Sequence, residues 1–66
     1  MKLEVNGEAL EVPEGLSIAG LLDHLGVSRG RLAVEVNREV VRRDAHAAHL
    51  LASGDRVEIV AFVGGG

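Results

Sequence analysis

The chain has no cysteine, tryptophan, tyrosine, glutamine or threonine. Phe62 is its one aromatic residue and Pro13 its one proline. Without cysteine it forms no disulfide and offers no thiolate of its own, and its redox compartment is unmarked. The scarcity of aromatic stacking platforms, together with the lack of a clustered basic face, argues against nucleic acid as a partner. Long apolar runs are missing too. The longest, Ile59 to Val63, falls far short of the roughly 20 residues that span a bilayer. Lys2 is followed by alternating residues instead of an apolar signal-peptide core, so no membrane association and a cytoplasmic location are expected.

What remains is 66 residues, enough for one domain, of which 47% are hydrophobic and nearly all of those aliphatic. A chain of this size buries only about 60% of the surface that its unfolded form exposes, so the core has to be compact. The net charge of −3 is unevenly spread. Through Gly26 there are five acids against Lys2 alone; beyond it come six arginines against five acids. Arg42 and Arg43, adjacent in sequence, read as a solvated edge.

Lys2–Asn6 alternates polar and apolar residues, and so does Leu10–Val12. The Asn6-Gly7 pair between them is a strong hairpin signal, because both residues accept positive φ. Leu3, Val5, Leu10 and Val12 are expected to face inward. Pro13-Glu14-Gly15 breaks the strand, and Ser17 can cap a helix on which Ile18, Leu21, Leu22 and Leu25 share one face. Gly26 suits its C-terminal end, and Gly20, mid-helix, suggests close packing on a sheet. A third strand runs Leu32–Val36, Asn37-Arg38-Glu39 turns into a short strand at Val40-Val41, and Asp44–Leu51 has the composition of one or two helical turns. A turn at Ser53-Gly54-Asp55 precedes the last strand, Arg56–Val63. One helix covers one face of one sheet. The long β-branched last strand is therefore placed in its middle, parallel to the first. That predicts an α+β, β-grasp (ubiquitin-like) fold: a mixed sheet of four to five strands, one main helix on one face, and a short helical turn before the last strand. The domain is expected over 1–63, followed by a flexible glycine tail, 64–66.

No catalytic constellation or phosphate-binding loop is present in the sequence. His46 and His49 stand three apart on the short helical segment. They read as residues that cap and solvate it, because no cysteine or convergent carboxylate completes a metal site; His24 reads as solvated as well. The chain is therefore expected to have no catalytic site, metal or bound cofactor of its own. The tail carries the chemistry. Three glycines follow the last strand, and an ionised terminal carboxylate becomes reactive only when a partner activates it. Glycine obstructs no narrow channel, takes any backbone conformation and leaves its carbonyl carbon open to attack. Three extended residues reach roughly 10 Å. Ordering them costs about 1–2 kcal/mol each, so the folded body has to supply the affinity. Val57, Ile59, Ala61 and Val63 share one phase of the last strand. Val60 and Phe62, in the other phase, are expected to point outward and anchor a partner.

Asn6-Gly7-Glu8, Ser17–Leu22, Val36–Val41, and Gly54–Val60 running on to Gly65-Gly66 resemble the ThiS family of sulfur carrier proteins in thiamine biosynthesis, over essentially the whole chain. The resemblance implies a β-grasp fold and a C-terminal Gly66 that is adenylated by a ThiF-like, ubiquitin-activating-like enzyme using ATP. Sulfur from a cysteine desulfurase persulfide then replaces AMP. The resulting thiocarboxylate supplies a ThiG-like thiazole synthase, with Gly65 and Gly64 needed for activation. Where the family often has Pro, then Arg, and an aromatic just beyond, this chain has Arg42, Arg43 and His46. Two other functions fit the same residues: a MoaD-like carrier for molybdopterin or cysteine synthesis, and a ubiquitin-like modifier or interaction module. A chain-building modifier calls for surface lysines, and Lys2 is the only one here.

Overall fold

The computed structural model describes residues 1–27 and 31–61. Its elements are β1 (Lys2–Val5), β2 (Glu8–Glu11), α1 (Ile18–Leu25), β3 (Leu32–Val36), β4 (Glu39–Val41), a 3-10 turn (Arg43–Ala45) and β5 (Arg56–Ala61). Both hairpins close through two residues at positive φ. These are Asn6 (50°) and Gly7 (84°) in the first, and Asn37 (52°) and Arg38 (72°) in the second. Two successive positive φ values make the turn whose twist matches that of the flanking strands. In the first hairpin the turn sets Leu3 opposite Leu10 and Val5 opposite Glu8.

The five strands form one sheet in the order β2-β1-β5-β3-β4. The central β5 runs parallel to β1 and antiparallel to β3, which is the β-grasp arrangement expected from the element order. Ser17 caps α1 by accepting the Gly20 N–H at 3.0 Å. Gly26 ends the helix at φ 72°, its N–H returning to the Asp23 carbonyl. The face of α1 that carries Ile18, Leu21 and Leu22 packs on Leu3, Val34 and Val57, and all six side chains are fully buried. Burying each aliphatic side chain contributes about 1.5–3 kcal/mol, so this small cluster carries much of the stability.

The expected helical turn before the last strand is present, as a 3-10 turn at Arg43–Ala45 followed by further turns, while two other local expectations change. Leu50 bridges Ser17 and the Leu51 N–H donates to the Leu16 carbonyl. Those contacts draw the chain out against the start of α1 and keep the helical segment short. Gly20 does not mark an approach to the sheet, since a Cβ there would meet Leu16 Cδ2 at 3.1 Å and the Ser17 hydroxyl at 3.5 Å. The helix's own leading segment is the crowded neighbour. His46 is no solvated capping residue but is buried, at 5% exposure. The strand end placed at Val63 and the tail at 64–66 lie outside the described residues.

Candidate functional site

The region of interest is the end of the sheet at which β5 finishes. Ala61 lies opposite Leu32 there, and Val60 opposite Ala33. Val57 is buried and Ile59 half-buried against the core, while Arg56, Glu58 and Val60 face the helix-free side. Val60 is 51% exposed, as the strand phase predicts. Phe62, the second expected anchor, and Gly64, Gly65 and Gly66 lie outside the described residues. On the same open face Val40 is 68% exposed and stands opposite Glu35, which in turn faces Glu58 on β5. The open face thus combines exposed valines with two acids.

Two asparagines hold β5 in place. The β1–β5 pairing ends at Val5 and Val57, but Asn6 extends it. Its N–H donates to the Val57 carbonyl at 2.9 Å. Its carboxamide oxygen accepts the Ile59 N–H at 2.8 Å, and its amide donates to the Ile59 carbonyl at 3.3 Å. At the other end of the strand Asn37 acts similarly. Its N–H donates to the Arg56 carbonyl at 2.8 Å, its Oδ1 accepts the Arg56 N–H at 3.0 Å, and its Nδ2 donates to Asp55 Oδ1 at 3.0 Å. The sequence marks both as turn-formers; their grip on β5 was not read from it. The available signal is that each hairpin places Asn at its first loop position, where a left-handed residue can turn its side chain along the neighbouring strand.

His46 secures the flank. Its Nε2 lies 3.0 Å from the Val41 carbonyl, and its own carbonyl accepts the Ala19 N–H. His46 therefore ties the end of β4, through its ring, to the start of α1, through its backbone carbonyl. Beside it, Ala19, Leu22, Leu32, Arg43, Asp44 and Ala47 complete a cleft of about 390 Å³. Arginines gather at this end: Arg31 immediately precedes β3, and Arg42 and Arg43 follow β4, all three exposed. Among the described residues no group of three or more His, Asp or Glu side chains is placed to hold a metal, and no helix is long and apolar enough to cross a membrane. The exit end offers apolar contact and charge for recognition, on a strand fixed from both sides.

The model of the ThiS family matches residues 2–66. A crystal structure of the thiamine biosynthesis protein ThiS from Geobacter metallireducens superimposes with a TM-score of 0.86 at 40% identity, covering all of both chains. The sulfur carrier protein ThiS of Escherichia coli is 26% identical over 66 residues, again over the full length of both. A thiazole synthase of Paramagnetospirillum magneticum is 42% identical over the same 66 residues, but the chain spans only 20% of that relative's length.

Proposed function

This chain belongs to the ThiS family, and on that premise we propose that it is a sulfur carrier that supplies thiazole formation in thiamine biosynthesis. The observation that carries the proposal is the family match, which extends to Gly66. The fold supports it, since the central strand leads into the glycine tail and is held on both edges. In the proposed cycle a ThiF-like adenylyltransferase brings ATP to the Gly66 carboxylate. A carboxylate oxygen attacks the α-phosphorus, pyrophosphate leaves, and an acyl-adenylate forms. The terminal sulfur of a cysteine desulfurase persulfide attacks the carbonyl carbon and expels AMP. A thiol then attacks the outer sulfur of the acyl disulfide, leaving a thiocarboxylate on Gly66 and a disulfide on the donor side. A ThiG-like thiazole synthase consumes that sulfur.

Within this cycle the chain is a co-substrate. ATP belongs to the partner, and the chain contributes a tail of Gly64, Gly65 and Gly66 and an anchoring surface of Val60 and Phe62. The relatedness to a thiazole synthase favours the thiamine branch over a molybdopterin or cysteine branch. Intact-mass measurement tests the proposal directly. Incubation with the adenylyltransferase, ATP and a persulfide donor should replace one oxygen of Gly66 by sulfur, a gain of about 16 Da by elementary composition. A variant lacking Gly66 should keep its fold and gain nothing. An unchanged mass in the full chain, under conditions where the partner adenylates its own carrier, rejects the carrier function.

A further inference from the structure

We propose that Arg31, Arg42 and Arg43 form a docking surface for acidic side chains on the protein that activates the tail, an inference that rests on the carrier function proposed above. The placement follows from the strand register. Leu32 lies opposite Ala61, the last described residue of β5, and Arg31 is the residue next to Leu32. β4 pairs Val41 with Val34, so Arg42 and Arg43 continue past β3 towards the same end, and Arg43 shares a cleft with Leu32. Three arginines on two chain segments thus lie at the end of the sheet where β5 finishes.

Their charge stands out in a chain whose net charge is −3. Asp44 is the acid among them. It approaches Arg42 at 3.7 Å, and both side chains are largely exposed, at 84% and 75%. An exposed pair of this kind contributes about 0–1 kcal/mol, so Arg42 can exchange Asp44 for a partner's carboxylate at little cost. Arginine suits that exchange because its planar fork matches a carboxylate bidentately. A nucleotide phosphate is the poorer occupant. The three side chains lie exposed on the surface, and Asp44 in their midst repels a multiply charged anion, whereas a protein face of mixed charge accommodates it. Fixed positive charge at the end of β5 steers the encounter and sets which way round the body docks.

The test uses the full chain and the ThiF-like adenylyltransferase, with ATP–pyrophosphate exchange followed across ionic strengths from about 0.02 to 0.3 M. Combining Arg31→Glu, Arg42→Glu and Arg43→Glu should lower kcat/KM about ten- to a hundredfold at low salt, through the KM for the chain, and flatten its salt dependence. Arg38→Glu, in the turn at the opposite end of β3, is the charge control and should change neither. If the triple variant does not fold, the single Arg42→Glu and Arg43→Glu changes carry the same comparison with smaller effects. Exchange with unaltered kcat/KM and salt slope overturns the docking surface and leaves the carrier function standing. A raised KM for ATP instead of for the chain assigns the arginines to the nucleotide and also overturns it. No exchange with the unmodified chain removes both.

Discussion

Asn6 forms a closed ring of two hydrogen bonds with the backbone of Ile59, accepting its N–H at 2.8 Å and donating to its carbonyl at 3.3 Å. A side chain here continues the pattern of a strand after the strand has turned away. Asn6→Gly isolates this effect, because glycine adopts the positive φ of the turn without strain. Each lost bond is worth about 0.5–1.5 kcal/mol, so a fall in stability of about 1–2 kcal/mol is expected. Amide exchange should accelerate at Ile59. Unchanged exchange there would mean that the β3 pairing alone secures this stretch.

Arg38 offers the opposite change. It holds φ 72° in the second hairpin, a left-handed conformation that costs a non-glycine residue about 1–2 kcal/mol. Part of that returns as chain entropy when glycine replaces it, so Arg38→Gly should stabilise the domain by about 0.5–1 kcal/mol. In a domain of this size thermal unfolding would report that as a rise of roughly 2–8 °C.

Glu35 and Glu58 face each other on neighbouring strands of the open face. Like charges directly opposite are unfavourable, and an opposite-charge pair gains about 0.2–1 kcal/mol. Glu58→Lys should therefore raise stability by that order, and the gain should shrink as salt is added. A gain independent of salt would point to packing instead.

His46→Ala removes a buried ring and the donor to the Val41 carbonyl. The cavity and the orphaned acceptor together should cost about 2–4 kcal/mol. His46→Phe fills the space without the bond and should recover part of the loss, which denaturant unfolding of the two variants can separate.

How much of this was legible beforehand depended on how local the cause was. Asn6-Gly7, Ser17 and Gly26 act through their own backbone conformations or caps, and alternation set the phase that buries Val57 and exposes Val60. The strand order followed because a single helix leaves one sheet face to cover. What the sequence hid was mostly tertiary, Gly20 excepted, whose crowding comes from Leu16 and Ser17 at the start of its own helix. Leu50 and Leu51 are drawn onto Leu16 and Ser17 by contacts between segments more than thirty residues apart, which no helical composition over 44–51 reveals. His46 looked polar and solvated because its partner, the Val41 carbonyl, carries no side-chain signature. The asparagine clamps were half visible: the residue type announced a turn, but only the assembled sheet puts β5 within reach of the carboxamide.

Val60 separates docking from folding most cleanly. It is 51% exposed on the helix-free face, so Val60→Asp removes little buried surface and should alter stability by no more than about 0.5 kcal/mol. If the open face meets the activating protein, the same change places a charge in an apolar contact and should raise the KM for the chain about tenfold or more, with kcat preserved. Phe62→Asp is expected to act in the same direction through the neighbouring position of the same strand phase. Loss of affinity with unchanged melting would assign both residues to the partner. Melting of Phe62→Asp alone would place that ring in the core and leave Val60 as the anchor. Wild-type kinetics in both would move the docking surface off this face altogether.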